Sequence, residues 1–450
     1  MPERPIDRST EPDSDRTVAD LLEVRLRQLG VARVYGRALA GLEHVLVPNS
    51  DLAVLLADAD GRLGHHDGSG RLGAALLDGP ILHLSSAPGG VAPLQTVTTA
   101  EELLNALVDP PGLLVPGTLA LHLDLDLAAP AGDAVATAEP ERSAVMTLDP
   151  SMASLDIVLV VGPGVVRSDA LDGARAFARS GGFGILNTWG AKGVERWDSP
   201  FHFGTAGLQE RDMELAGLSE ADVVIVSGLD PAETPLDRLG SWVVQEVPPA
   251  QLGALTTGWT PSRELPERPP LYDQIAKVVT PLYESDGVPL TGARAALHLS
   301  GALPDRGVAV ADPGAAGFWI ARTFPTSIPG SVCVPATYTP GFAAAAALVC
   351  SIEGRPCLAV SDQVGGIEGI DDVSAELLEL AESLGRPVAL QLWGPEGSLD
   401  SSGAHVELLA ESLATTTVRI DEVPVDVAST EALEGVAGAL IAWPTADDES

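Results

Sequence analysis

Ile157-Val158-Leu159-Val160-Val161-Gly162-Pro163-Gly164-Val165 is the stretch whose reading decides the fold. Five apolar residues in a row, four of them β-branched, read as a strand buried on both faces, the pattern of a parallel sheet covered by helices. Gly162 and Gly164 follow at once and permit a tight turn with close backbone approach ahead of a helix predicted over 169–179. Such a turn suits a nucleotide-type ligand, and it suits a plain strand-to-helix connection equally well. Further strands are predicted at 184–187 and 223–226, so strand and helix alternate as in a Rossmann-like domain spanning 151–247.

Similar alternation flanks this block. Residues 18–29 carry Leu21, Leu22, Val24 and Leu29 at helical spacing, Gly30 is a natural helix stop, and strands are predicted at 32–35 and 119–125 within a first domain over 17–130. The third domain, 285–450, shows strands at 307–311, 357–361, 388–392 and 417–420, with helices at 341–350, 373–384 and 405–413. Residues 127–151 and 248–270, rich in proline, read as linkers. The expected fold class is therefore α/β, with three Rossmann-like parallel-sheet domains in series.

Composition narrows the function. The 450 residues carry 26 basic and 63 acidic side chains, a formal net charge of -37, and 45% are hydrophobic. A surface this acidic repels phosphate backbones and anionic lipid heads, so no nucleic-acid or membrane partner is expected. No apolar run approaches the roughly 18 to 20 residues of a membrane helix, and the default location is cytoplasmic. Cys333, Cys350 and Cys357 form no Cys-x-x-Cys pair and read as small buried hydrophobes. His65-His66-Asp67 reads as a loop, since adjacent histidines point apart and no third metal ligand has suitable spacing. No Gly-x-Ser-x-Gly elbow signals a serine nucleophile. Lys192 and Lys277 are the only lysines, beside 24 arginines, a bias that base composition explains as well as salt adaptation.

The sharpest signal is an ordered series: the Gly162-Pro163-Gly164 turn, then Asn187-Thr188-Trp189-Gly190-Ala191-Lys192-Gly193, Asp198-Ser199-Pro200, Gly204-Thr205-Ala206-Gly207 and Glu220-Ala221-Asp222-Val223-Val224-Ile225-Val226-Ser227-Gly228. This series resembles the central domain of thiamine-diphosphate (ThDP) enzymes of the acetolactate synthase and 2-oxoacid decarboxylase type. In that family the central domain is Rossmann-like, and some members bind FAD or an adenine nucleotide there, which would place such a ligand at Gly162 and Gly164. The opening 17–36 and the closing strand 119–127 resemble the family's pyrimidine-binding domain, and 285–450 resembles its diphosphate-binding domain.

The resemblance also implies site residues. An active member needs a glutamate that hydrogen-bonds the cofactor's aminopyrimidine, in a His-Glu motif followed by an Ala-rich helix and a Gly-Pro-Gly turn. Glu43 is the only glutamate between Val24 and Ala100, stands in the order Glu-His, and is expected to have no Ala-rich helix after it; it reads as a solvated loop residue, and the first domain as truncated. In the third domain Asp312-Pro313-Gly314 resembles an Asp-x-Gly turn with Trp319 at an aromatic position, and Gly341 a glycine turn before a small-residue helix. Ser361-Asp362-Gln363 stands where the family has Gly-Asp-Gly. There the aspartate, with an asparagine from the next strand, coordinates Mg²⁺ bridging to the diphosphate. Asp362 is thus the candidate metal ligand and Asp312, Gly314, Gly341 and Asp362 the candidate ThDP contacts. Both glycines around Asp362 are replaced, and the next strand leads into Trp393-Gly394. Glu368, Asp371 and Asp372 offer substitute oxygens, or form a solvated acidic loop.

Two readings follow. One is a degenerate family member, without catalysis of its own, that acts as a partner or regulatory subunit in a homo-oligomer or in a hetero-complex with a complete ThDP-enzyme subunit. The other is an active ThDP- and Mg²⁺-dependent carboligase or decarboxylase of 2-oxoacids with an altered cofactor site.

Overall fold

The computed structural model describes residues 16–39, 41–64, 71–86, 93–108, 117–137, 146–239, 244–262, 264–363 and 369–443. His65-His66-Asp67 and Glu368 lie outside them. The chain forms three sheets in sequence, each flanked by helices.

The central sheet is wholly parallel, with strand order Val244–Glu246, Val223–Ser227, Ile157–Val161, Ile185–Thr188, His202–Ala206. Every residue of Ile157–Val161 and Val223–Ser227 is buried, as strands covered on both faces require. The third sheet is parallel too, in the order Leu290–Thr291, Val418–Asp426, Val388–Gly394, Cys357–Asp362, Val308–Ala311, Val332–Cys333.

The first sheet is mixed, a difference from the parallel pattern expected of all three. Glu43–Val45, Arg33–Gly36 and Gly73–Leu77 run parallel, but Ile81–Ser85 pairs antiparallel with both Gly73–Leu77 and Thr118–Leu123. Only three residues separate Leu77 from Ile81, with Gly79 at φ +84°, so the chain makes a hairpin where a crossover helix would need a dozen. The opening helix Val18–Gln28 starts as its sequence suggests. Thr17 accepts from the Asp20 amide at 3.2 Å while Asp20 accepts from the Thr17 amide at 2.9 Å.

Two expectations are corrected. A helix does follow Glu43, though not an alanine-rich one: Ser50–Leu63 starts at Asn49, whose side chain accepts from the Asp51 amide, and Glu43 itself lies on an exposed edge strand rather than in a loop. The proline-rich stretches are not free linkers either. Leu148, Leu252, Leu255 and Trp259 belong to the core of the central domain, and Ala131 to that of the first, because these turns bring apolar side chains back onto helices they would otherwise leave bare.

Helix Ser50–Leu63 also joins the domains. Its Leu52, Leu55, Leu56, Ala59 and Leu63 share one buried cluster with Phe342 to Cys350 of the helix Phe342–Glu353 in the third domain. Alanines at 343–347 let the second helix lie flat between its own sheet and the first domain. Charge flanks this apolar seam. Tyr35 donates to Asp60 at 3.0 Å, Arg71 donates to Asp60 at 3.0 Å and pairs with Glu353, and Arg33 reaches Glu353 at 3.3 Å. From the same helix the buried Arg62 donates to Asp230 of the central domain at 2.8 Å and to Glu233, which in turn accepts from Thr188 and the Gly190 amide.

Candidate functional site

Strands Val308–Ala311 and Cys357–Asp362 are neighbours in the third sheet, so Asp312 and Asp362 emerge side by side at their C-terminal ends. This is where α/β sheets hold ligands, since two helix N-termini point at the same crevice. Helix Ala315–Thr323 begins there behind Gly314, and helix Phe342–Glu353 behind Gly341. The four predicted positions Asp312, Gly314, Gly341 and Asp362 are thus placed around the ends of two adjacent strands.

Their side chains are already engaged with the protein. The Asp362 carboxylate accepts from the Ala315 amide at 2.8 Å through Oδ2 and from the Ala316 amide at 2.7 Å through Oδ1. It therefore sits on the first turn of one helix as an incoming anion would. Gly314, at φ +154°, carries no side chain because Asp362 Oδ2 fills the space a Cβ would take. The Asp312 Oδ1 accepts from the Ala343 amide at 2.8 Å, at the start of the other helix. Gly341, at φ +76°, is held free of a side chain by Val373, 2.7 Å from where its Cβ would stand.

Electrostatics point the same way. Burial, only partly offset by the Ala343 amide and Ser361, pushes the Asp312 carboxyl up to about 7, and the charges of Asp371 and Asp362 add to the rise. Its Oδ2 is buried without a hydrogen-bond partner. Burial also raises Asp362, against the pull of its two amides. Asp371 caps the next helix through the Ser374 amide at 2.9 Å, and Asp372 faces solvent. Gln363 bridges to the following strand's loop: its Oε1 accepts from the Glu396 amide at 2.8 Å, and its Nε2 donates to the Glu396 carbonyl at 3.2 Å. Its side chain lies against Gly394, in the space a Cβ there would need.

A Mg²⁺-diphosphate group needs free carboxylate oxygens for the metal and free amides for the phosphate. In this geometry each oxygen of Asp362 already accepts from an amide, the amides of Ala315, Ala316 and Ala343 are engaged by carboxylates, and Gln363 fills the neighbouring gap, so that of the two carboxylates a single oxygen, Asp312 Oδ2, is left without a partner. These residues do not fit the group. Among the described residues no cluster of three His, Cys, Asp or Glu side chains is arranged to hold a metal ion.

The turn at Gly162 and Gly164 lies at the topological switch point, between Ile157–Val161 and Val223–Ser227, from which the sheet grows both ways. Its close approach is made to the chain itself. The Gly162 amide donates to the Ser227 carbonyl at 3.0 Å and the Gly164 amide to Gly228 at 2.8 Å, while Gly228, at φ +61°, would place a Cβ 2.6 Å from the Val165 nitrogen. Glu43 lies apart from this turn, on the edge strand of the first sheet, 3.8 Å from Arg33.

The sequence reading missed the buried ion network around Arg62, Asp230 and Glu233. Burial pushes Glu233 up to about 7 despite Arg62, with Asp230 adding to the rise. One signal was available, an Asn-Ser-Asp start and a Gly64 stop around 49–64.

Comparison with known proteins agrees with this fold. Residues 153–247 match the family model described as the thiamine pyrophosphate enzyme central domain. A solved protein from Mycobacterium smegmatis, provisionally assigned as a thiamin diphosphate-dependent enzyme, superposes with a TM-score of 0.58 at 16% identity, covering 91% of this chain and 99% of its own. No curated protein matches the sequence. Among the described residues, no helix is long and apolar enough to cross a membrane.

Proposed function

We propose, for a chain whose residues 153–247 match the thiamine pyrophosphate enzyme central domain and whose fold is like that of the provisionally assigned thiamin diphosphate-dependent protein, a role in this family without catalysis by the isolated subunit. It is a degenerate relative that acts as a partner or regulatory subunit, assembled with copies of itself or with a complete ThDP-enzyme chain. A single observation carries this reading: Asp362, the residue in the metal-binding position, has both oxygens on the Ala315 and Ala316 amides. A cofactor would have to displace a carboxylate from a helix start and then bind beside the second one, Asp312. Neither the metal nor the diphosphate is served by that exchange. FAD or an adenine nucleotide has no better footing at Gly162, whose open side faces Gly228.

Isothermal titration calorimetry with ThDP and Mg²⁺ tests the proposal. The expected result is no saturable heat with the purified chain. Saturable binding that Asp362→Ala abolishes would replace this reading with that of an active 2-oxoacid enzyme.

A further inference from the structure

A cavity of about 180 Å³ lies between the central and third domains, away from the strand ends just described. Lys192, His202 and Thr205 line one wall, and Tyr272, Ile275 and Tyr283 of the helix Pro270–Glu284 line the other. Its volume is comparable to the roughly 150 Å³ engineered cavity that takes up benzene. One aromatic ring with a short substituent is therefore the scale of its occupant.

Polar groups in this cavity are left over by the fold. Lys192 is buried, and its Nζ makes only long contacts, 3.3 Å to Thr205 Oγ1 and 3.4 Å to the Arg322 carbonyl. No carboxylate pairs with it among the described residues. The neighbouring Arg322 is different, since it holds both Asp212 oxygens at 2.7 and 2.8 Å and donates to Gln209 at 3.0 Å. His202 is also buried, and its Nδ1 has no hydrogen-bond partner. Its ring meets Tyr272 edge to face, centroids 5.8 Å apart, and Arg268 covers Tyr272 at 4.1 Å. Tyr283 donates to the Thr323 carbonyl. Burial, with Arg322 adding to it, lowers the Lys192 amine to about 7. Burial, then the charges of Lys192 and Arg268, lowers His202 to about 3. A free amine beside a neutral imidazole in an apolar, ring-sized space is the setting in which lysines condense with carbonyl compounds.

We propose that this cavity takes a small aldehyde or ketone of about one ring's size and holds it as an imine on Lys192. The amine nitrogen adds to the carbonyl carbon, the carbinolamine forms, and loss of one water leaves the carbon–nitrogen double bond, with no change in oxidation state. Thiamine diphosphate has no part in this step, so the inference stands or falls apart from the proposed function.

With two lysines in the chain, the test contains its own control, since Lys277 is exposed on the helix that lines the cavity. The full-length protein is treated with benzaldehyde and sodium cyanoborohydride at pH 7, and the reduced adducts are mapped by peptide mass spectrometry. Lys192 should be labelled at least tenfold faster than Lys277, with a half-maximum near pH 7. Ala276→Leu, which adds bulk to the cavity lining, should slow Lys192 labelling about fivefold or more and leave Lys277 unchanged. Labelling of Lys192 no faster than Lys277 would overturn the proposal, as would unchanged labelling in a folded Ala276→Leu protein.

Discussion

Asp362→Ala removes the carboxylate that closes the start of helix Ala315–Thr323, and its consequences can be worked from two distances. The amides of Ala315 and Ala316, at 2.8 and 2.7 Å, lose a charged acceptor together. A hydrogen bond to a charged group contributes about 1.5–3 kcal/mol, and an N-cap about 0.5–2 kcal/mol. Holding the carboxylate in a largely buried place costs part of that back, as its raised pKa indicates. A net loss of about 2 kcal/mol remains, or roughly a 30-fold rise in local opening. Hydrogen exchange followed by mass spectrometry should show that acceleration in peptides covering 313–320, with the central sheet unaffected. The vacated amides then become an anion site. Pyrophosphate at 100 times its Kd should return about 2.7 kcal/mol to the variant and nothing to the wild type. Unchanged exchange in 313–320, or equal protection of both proteins by pyrophosphate, would refute the view that Asp362 stands where a phosphate would.

Other outcomes follow from the same geometry. Asp312 has a folded-state pKa of about 7 against about 3.9 unfolded, so between those values the folded chain keeps a proton that the unfolded chain has released. That stability is complete below about pH 4 and is lost as the pH rises through 7. Asp312→Asn cannot titrate there, and its Tm relative to wild type should climb by several degrees between pH 5 and 8; parallel Tm curves would rule the assignment out. Arg62→Met leaves Asp230 and Glu233 buried without their cation and should cost about 3–5 kcal/mol in urea unfolding; a loss under 1 kcal/mol would mean the network is hydrated. Gly228→Ala forces a Cβ to 2.6 Å from the Val165 nitrogen at a left-handed φ, and should lower stability by about 2 kcal/mol or more. A neutral Gly228→Ala substitution would show that the switch point has room for a ligand after all.

Much of the α/β framework was legible in the sequence because its strands are buried on both faces and flanked by glycine. Ile157–Val161 and Val223–Ser227 needed no knowledge of their neighbours to be recognised. Helix Ser50–Leu63 was not legible in that way. Asp58, Asp60 and Arg62 interrupt its apolar pattern, yet all three are buried, matched by His83, Tyr35, Arg71, Asp230 and Glu233 from elsewhere in the fold. A hydrophobic periodicity read from one segment has no means of recognising charges matched by partners on other elements, from Arg71, 11 residues beyond Asp60, to Glu233, 171 residues beyond Arg62.

The candidate site divides along the same line. Local sequence determined that Asp312 and Asp362 stand at strand ends, that Gly314 belongs to a turn and Gly341 starts a helix, and that the glycines the resemblance expects around Asp362 are replaced by Ser361 and Gln363. Only the tertiary structure decided what these side chains do, because Asp362 reaches across 47 residues to cap Ala315 and Asp312 reaches across 31 to cap Ala343. Hydrogen bonds of that kind depend on which strands pair and in what register, and those are properties of the assembled sheet.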